Sequence, residues 1–227
     1  MKSISVIIPA YNEEKSVEKV LVDVNQQKQA LSLLGYDLTI ILVLNVCTDN
    51  TEVIALRAKE SHSINLVIIE ETKQGYGYAH RRGIAEAKGD ILLTLDCDNT
   101  YPAEAIIEMV DLINSGKDFV TTNRLNMNPS MSNKSKIGNY ILTAATKLLS
   151  GQSLKDSQSG MWAYKREHIA HLLAGLGSGM ELSEQLKIRL AKETNWAEID
   201  IEYYERVGES KLNPFVDGVR CLWRLLF

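Results

Sequence analysis

The sequence has little of what several specialised protein classes need. Its 227 residues include only three cysteines, Cys47, Cys97 and Cys221. They are far apart and odd in number, which argues against a disulfide framework or zinc cluster and favours a reducing compartment. Lysine and arginine number 25 against 29 for aspartate and glutamate, so the chain lacks the basic excess typical of nucleic-acid-binding proteins.

Long hydrophobic runs are also missing. No apolar run approaches the roughly 20 residues that a membrane-spanning helix needs. The apolar start, residues 4–8, is short and leads into Asn12, Glu13 and Glu14, so it predicts a first core strand rather than a signal peptide. We therefore expect a cytoplasmic protein. Its formal net charge of -4 leaves a local pocket free to bind an anionic small molecule.

What the sequence does have is an alternation of short apolar runs with segments of helical period. Its 45% hydrophobic fraction suits one α/β domain. The alternation predicts a doubly wound, mostly parallel sheet with helices on both faces. The predicted strands are 4–8, 38–44, 65–69, 91–95, 119–122, 161–164 and 196–203. The predicted helices are 14–34, 51–60, 78–88, 102–115, 136–150, 167–176 and 181–192, with a loop at 123–134.

Two carboxylates end the fourth predicted strand. Asp96 and Asp98 lie two residues apart, so their side chains share one side of an extended backbone. Ligands of open α/β sheets bind at the carboxyl ends of the strands. Carboxylates there suit a hard divalent cation, which takes further ligands from water or substrate phosphates. The alternative is a solvated loop in which both aspartates serve turns and helix caps.

Polar clusters also follow the first two predicted strands. After the first, Tyr11 offers a ring that can stack on a base, and Glu13 offers an acceptor for ribose or base donors. After the second, the Asn45 amide can both donate to and accept from a base edge, whereas Asp49 suits the cap of the next helix. The ends of the first, second and fourth predicted strands therefore predict one shared crevice.

Four motifs occur in order along the first half of the chain. They are Pro9-Ala10-Tyr11-Asn12-Glu13, Asn45 with Thr48-Asp49-Asn50-Thr51, Gly75-Tyr76-Gly77-Tyr78-Ala79, and Asp96-Cys97-Asp98. In this order they resemble family 2 glycosyltransferases of the GT-A fold. Later segments, at 156–162, 203–212 and 217–218, resemble the dolichyl- or polyprenyl-phosphate mannosyl- and glucosyltransferase branch. The resemblance covers nearly the whole chain, and it is the order and spacing of the motifs that make it specific.

The resemblance implies inverting transfer of a sugar from a GDP- or UDP-linked donor to a polyprenyl phosphate, with Mg²⁺ or Mn²⁺ as cofactor. It implies a single domain over residues 1–227, with the donor in 1–122 and the acceptor side in 123–227. The positions that match the nucleotide-sugar contacts are Pro9, Tyr11, Glu13, Asn45, Asp96 and Cys97. Those that match the metal ligands are Asp96 and Asp98, and those that match phosphate contacts are Arg124, Arg206 and Lys211.

The chain departs from the family pattern at three positions. Leu44 replaces an acid that often precedes the second base-contacting position, and Cys47 stands where a small serine is usual. Thr100 occupies a position where mannosyl-type relatives place a glutamine near the metal. The resemblance therefore leaves the base of the donor and the ligand shell of the metal open.

The acceptor decides whether a general base is needed. A hydroxyl must lose its proton, whereas a phosphate is already an anion. The candidates for a catalytic carboxylate are Asp156, Glu181 and Glu184, although the glutamates also suit a helix N-terminus and Asp156 a turn. A hydroxyl acceptor in polysaccharide or glycolipid synthesis stays open, as does a non-catalytic nucleotide-sugar binding module. A nucleotidyltransferase would need a basic, glycine-rich loop after the first strand.

Two further patterns carry weaker expectations. Residues 214–227 place Arg220 and Arg224 four apart beside an apolar face, which predicts an amphipathic C-terminal helix. Such a helix would lie at a membrane surface, pack on the domain or join a homodimer. His80, Arg81 and Arg82 are expected to be exposed charges on a helix surface.

Overall fold

A computed structural model describes residues 1–127, 130–208 and 218–223. Its strands are β1 (Lys2–Ala10), β2 (Tyr36–Asn45), β3 (Leu66–Glu71), β4 (Ile91–Thr94), β5 (Phe119–Met127), β6 (Trp162–Lys165) and β7 (Trp196–Glu202). Its helices are α1 (Val17–Gln26), α2 (Lys28–Leu33), α3 (Thr51–Ser61), α4 (Tyr76–Glu86), α5 (Ala105–Asn114), α6 (Asn133–Ser150), α7 (Ile169–Leu172) and α8 (Glu181–Glu193). A 3₁₀ turn, Arg166–His168, precedes α7.

One seven-stranded sheet forms the centre, in the order β3-β2-β1-β4-β6-β5-β7. Only β6 runs antiparallel to its neighbours, between β4 and β5. Alternate side chains of β1 enter different cores: Ile4, Val6 and Ile8 pack with α1, α3 and α5, whereas Ile7 packs with α4 and α8. The prediction of a mostly parallel α/β domain with helices on both faces is confirmed.

The helix predicted over residues 14–34 is wrong in its extent. The N–H groups of Ser16 and Val17 both donate to the Glu13 carbonyl, so residues 13–16 form a turn and α1 begins at Val17. Helix α1 then ends at Gln26, and a separate helix, α2, begins at Lys28 and packs on β2. The apolar spacing of the sequence continues across this break, which is why it predicted a single helix.

The loop predicted over residues 123–134 is also wrong in part, because β5 continues to Met127. Its backbone pairs with β7, and the amides of Asn123 and Asn126 donate to Asp200 at 2.7 and 3.0 Å. A polar strand near a sheet edge has the composition of a loop. The helix predicted over 167–176 is the 3₁₀ turn followed by α7, which ends at Leu172.

His80 is fully buried, contrary to the expectation of an exposed charge. Its ring stacks on Trp162 with centroids 6.0 Å apart, and its Nδ1 lies 3.3 Å from the Thr94 hydroxyl. Burial lowers the pKa of His80 to about 3, so the ring is neutral. Arg81 donates to main-chain carbonyls between α7 and α8. Both residues therefore belong to the packing of α4.

The helices of the described ranges are all too short or too polar to cross a bilayer. At the C-terminus, residues 218–223 are helical. The rest of the amphipathic stretch predicted over 214–227 lies outside the described residues.

A buried ion pair joins β5 to the segment before β6. Arg124 Nε and Nη2 donate to the two carboxylate oxygens of Asp156 at 2.7 and 3.0 Å. The two side chains are 7% and 0% exposed, and the guanidinium lies 5.2 Å from the ring centroid of Tyr203. Burial acts to raise the pKa of Asp156, but the charge and hydrogen bonds of Arg124 hold it below its usual range.

Replacing Asp156 with Asn should therefore lower the free energy of unfolding by about 3 to 5 kcal/mol, because it leaves a buried guanidinium without its counter-charge. The native pair should contribute at neutral pH and be lost as the pH falls through the lowered pKa of Asp156. Urea titration measures both effects. Asp23→Asn, which breaks the exposed Lys19–Asp23 pair, should cost less than about 1 kcal/mol. Equal losses of unfolding free energy in the two variants would contradict a stabilising role for the buried Arg124–Asp156 pair.

A second prediction compares one substitution at two helical glycines. A Cβ at Gly83 would collide with Ile7 and lie 3.1 Å from Val43 Cγ2, because α4 packs tightly on the sheet. Gly83→Ala should destabilise the protein by about 1 to 3 kcal/mol. A Cβ at Gly138 in α6 meets nothing within 4 Å, so Gly138→Ala should stabilise it by about 0.5 to 1 kcal/mol. Thermal and urea unfolding should show changes of opposite sign.

Candidate functional site

A cleft of about 290 Å³ opens at the carboxyl ends of β1, β2 and β4. Helices α1 and α3 pack on one face of the sheet and α4 on the other, so the chain switches faces between β1 and β4. Open α/β sheets bind ligands at such switch points. The cleft is lined by Pro9, Ala10, Tyr11, Glu13, Asn45, Gln74, Gly75, Tyr76, Ala79, Asp96, Cys97, Asp98, Gly179, Met180, Arg206 and Arg220.

The turns after β1 and β2 are bonded to each other. Asn12 accepts from the Thr48 N–H at 2.7 Å, and the Cys47 thiol donates to the Ala10 carbonyl at 3.3 Å. Asn12 and Val46 have positive φ values of 55° and 56°. Left-handed backbone is unfavourable for a β-branched residue and persists where surrounding contacts enforce it. These bonds therefore fix the wall that carries Tyr11 and Glu13.

Asp98 is held on the cleft floor by charge and by hydrogen bonds. Its Oδ2 accepts from Arg206 Nη2 at 2.6 Å, and its Oδ1 accepts from the N–H and hydroxyl of Thr100 at 3.1 and 2.6 Å. The Val207 N–H donates to the Asp98 carbonyl at 3.0 Å. Asp98 is buried, whereas the Arg206 side chain is 28% exposed. The late segment around Arg206 thus closes onto the aspartates.

Asp96 faces the same cleft. The Tyr76 hydroxyl donates to its Oδ1 at 3.3 Å, and a Cβ at Gly160 would collide with its carboxylate. Burial and the charge of Asp98 raise the pKa of Asp96 to about 6, although Arg206 and Arg124 act in the opposite direction. Two close carboxylates of this kind are stabilised by a cation between them.

The aspartate pair fits a hard divalent cation in the type and number of its donors. Mg²⁺ typically takes one or two carboxylates and completes its shell with water and substrate phosphates. Within the described ranges, no group of three or more His, Cys, Asp or Glu side chains is placed to hold a metal ion. The remaining ligands of an ion bound here would therefore come from water and the substrate.

The Asn45 amide, expected to face a base, braces the loop before α4. Its Nδ2 donates to the carbonyls of Glu71 and Lys73 at 3.2 and 2.8 Å, and its Oδ1 accepts from the Gly75 N–H at 2.8 Å. Both ends of the amide are in use, so contact with a base edge requires an exchange of these bonds. Asn45 still lies on the cleft wall.

Three of the expected site residues lie elsewhere. Arg124 and Asp156 bind each other and are not among the residues that line the cleft. Glu181 is buried at the start of α8, where its Oε1 accepts from the Gly179 N–H at 3.1 Å. Its Oε2 has no hydrogen-bond partner in the described part of the chain. Lys211 falls outside the described residues.

Several wall residues are not predicted by the sequence. Tyr76 belongs to one of the sequence motifs, but spacing alone does not show that its hydroxyl reaches Asp96. Arg220 was assigned to an amphipathic helix, yet it lines the cleft. Met180 also lies on the wall. These placements depend on contacts between distant parts of the chain, which no local pattern reveals.

The cleft is closed on one side by a tight seam between the two halves of the chain. A Cβ at Gly77, in the first turn of α4, would collide with the main chain of Ser178. At Gly75 the same atom would lie 3.1 Å from the Ser178 carbonyl oxygen. The absence of side chains at these two positions lets the segment before α8 rest directly on α4.

Comparison with solved structures shows where this architecture occurs. Glucosyl-3-phosphoglycerate synthase from Mycobacterium tuberculosis, crystallised with uridine diphosphate, has a TM-score of 0.73 at 22% identity, over 99% of this chain and 79% of that one. A crystal of the same synthase with Mn²⁺, uridine diphosphate and phosphoglyceric acid has a TM-score of 0.69. At this identity the likeness establishes the shared GT-A fold.

The sequence comparisons are more specific. A dolichyl-phosphate hexose transferase of Haloferax volcanii is 32% identical over 218 residues, covering 95% of this chain and 89% of that protein. An undecaprenyl-phosphate 4-deoxy-4-formamido-L-arabinose transferase of Photorhabdus laumondii is 31% identical over 232 residues, covering 98% and 68%. The profile of glycosyl transferase family 2 matches residues 5–173. The chain therefore belongs to glycosyl transferase family 2, and it is a glycosyltransferase of the GT-A fold.

Proposed function

We propose that this glycosyltransferase moves a sugar from a GDP- or UDP-linked donor to a polyprenyl phosphate, with inversion at the sugar. The carrying observation is that Asp96, Asp98 and Arg206 meet on the floor of a cleft whose other wall presents Tyr11 and Glu13. The similar proteins of H. volcanii and P. laumondii are named for dolichyl and undecaprenyl phosphates, which supports the same class of acceptor here.

Charge is the main demand of this reaction. Cleavage of the sugar–phosphate bond leaves additional negative charge on the diphosphate. Mg²⁺ or Mn²⁺, held by Asp96 and Asp98, would stabilise that charge. Arg206 adds a planar guanidinium that can hold two phosphate oxygens. Gly208, with a φ of 92°, follows Arg206 closely and lets the backbone turn where other residues would be strained.

The positions of the carboxylates favour a phosphate acceptor over a hydroxyl. A phosphate attacks as an anion, so it needs to be positioned rather than deprotonated. Asp156 is bound to Arg124, and Glu181 lies behind Gly179 rather than on the wall. Neither carboxylate lines the cleft in this geometry, which supports an acceptor that needs no general base.

We assign donor binding and acceptor binding to the two halves of the chain according to which half supplies each cleft wall. Residues 1–122 supply the turns after β1, β2 and β4, which would hold the donor, whereas residues 123–227 supply Arg206 and the acceptor side. An enzyme with a lipid-linked acceptor would work at a membrane surface, here the cytoplasmic face.

A homodimer is compatible with this arrangement, and the oligomeric state can be measured by light scattering.

Asp98→Asn should abolish the Mn²⁺-dependent part of the thermal stabilisation that a bound nucleotide gives. Ligand binding raises the midpoint of unfolding by mass action, so loss of a metal ligand removes that increment. The measurement is a thermal-shift series with UDP, GDP and TDP, each with and without Mn²⁺. Asp37→Asn, at an exposed carboxylate on the far end of β2, should respond like the native chain. A full shift in the Asp98 variant would remove this residue from the metal site.

Arg206→Lys should lower the turnover number by about 10²- to 10³-fold while retaining nucleotide-induced stabilisation. The lysine keeps the charge but loses the fork that holds two oxygens. Initial rates of sugar transfer to a polyprenyl phosphate in detergent would show the effect. Arg166→Lys, at the opposite end of the sheet, is the matched control and should transfer sugar at the native rate. Native turnover in the Arg206 variant would contradict the proposed role.

A further inference from the structure

Lys187 is a charged side chain buried inside the protein. It lies on α8, and its side chain is fully enclosed. Lysine is almost never buried completely unless its ammonium group is paired. Here the Nζ atom donates to the carbonyl oxygen of Ser159 at 2.6 Å. Neither residue is among those that line the cleft, and the proposed sugar transfer uses neither of them.

The charge of Lys187 is balanced by carboxylates on neighbouring segments. Burial lowers the pKa of Lys187 to about 8, and the charge of Arg124 acts in the same direction. The carboxylates of Asp156, Glu184 and Glu198 oppose this effect. At neutral pH the side chain is therefore an ammonium group, and a charged donor makes a stronger bond to a carbonyl oxygen than a neutral one.

The Ser159–Gly160 peptide is held at both of its polar edges. Lys187 binds its carbonyl oxygen, and its N–H donates to the Tyr101 hydroxyl at 2.6 Å. A peptide unit is planar and rigid, so bonds at opposite edges fix its orientation. The Ser159 hydroxyl is fixed as well, because it lies 2.5 Å from the hydroxyl of Thr122 on β5. This peptide is therefore a fixed point of the segment before β6.

The same peptide supports the carboxylate of Asp96. A Cβ at Gly160 would collide with Cγ and with both carboxylate oxygens of Asp96, so the glycine Cα packs directly against that carboxylate. A shift of the peptide would change the position that the carboxylate can take. The affinity of a metal site depends on the groups that orient its ligands as well as on the ligands themselves.

We propose that Lys187 is a positioning residue for Asp96, acting through the Ser159–Gly160 peptide. Its ammonium group holds the peptide, and the peptide holds the carboxylate in the geometry that a divalent cation needs. The inference rests on the proposed metal-dependent sugar transfer, since it concerns a ligand of that metal. A purely electrostatic role would have the opposite sign, because an ammonium group repels a nearby cation. Loss of the charge alone would strengthen Mn²⁺ binding, whereas loss of the positioning weakens it.

Lys187→Met tests the inference, because it keeps the length of the side chain and removes its donor. The dissociation constant of Mn²⁺, in the presence of UDP or GDP, should rise by about tenfold or more. Electron paramagnetic resonance of free Mn²⁺ measures this constant without any sugar transfer. Lys165→Met is the matched control, since Lys165 donates to Asp118 and lies beside the first residue of β4, at the opposite end of the sheet. The control should bind Mn²⁺ like the native chain.

Tyr101→Phe removes the bond at the other edge of the peptide and changes no charge. It should also weaken Mn²⁺ binding. The double variant with Lys187→Met should lose less than the product of the two single effects, because both act on one peptide. Thermal unfolding of each variant without metal shows how much stability it has lost. If Lys187→Met does not fold, native Mn²⁺ binding by Tyr101→Phe overturns the inference.

The outcomes separate this inference from the proposed function. Weaker Mn²⁺ binding in both variants supports the inference even if no sugar reaches a polyprenyl phosphate, a result that contradicts only the proposed acceptor. The inference alone is overturned if folded Lys187→Met binds Mn²⁺ as tightly as the native chain or more tightly, whatever stability it has lost. A native chain that binds no Mn²⁺ with either nucleotide would overturn the metal site and this inference together.

Discussion

The bond between Arg206 and Asp98 is the interaction on which the rest of the site depends. It ties the late part of the chain to the turn after β4, and it occupies a carboxylate oxygen that a metal ion would use. In the proposed reaction, binding of a metal and a nucleotide would exchange one cation for another at a buried carboxylate. Asp98 would then keep a counter-charge, whose loss would cost several kcal/mol. The released guanidinium would be free to bind the phosphates.

The features that the sequence predicted correctly are local ones. Runs such as Ile4–Ile8 are apolar throughout because parallel strands are buried on both faces, so their number and order follow from the pattern. Asp96 and Tyr11 were placed in one crevice because parallel strands bring their carboxyl ends to the same edge of the sheet. Sequence spacing therefore located the cleft floor and the first wall.

The features that the sequence did not predict depend on contacts between residues that are far apart in the chain. The extension of β5 through Asn126 needs β7 beside it, and the polar residues that make this pairing are those expected of a loop. Arg124 resembles a phosphate ligand until Asp156 is placed against it. His80 is followed by two arginines in the sequence, but tertiary packing buries it against Trp162. In each case the outcome is set by a contact that the local pattern does not contain.

The seam at Gly77 and Ser178 has a consequence for how substrates enter. Main chain rests on main chain there, so no side-chain rotation at this contact itself would open a path. Interiors packed in this way move as one body. The opposite border, at residues 204–208, is held by an ion pair and by backbone bonds to the loop after β4, all of which can be exchanged for bonds to a ligand. In the proposed reaction a nucleotide sugar would therefore arrive and leave on that side, while the seam at Gly77 and Ser178 keeps its contact.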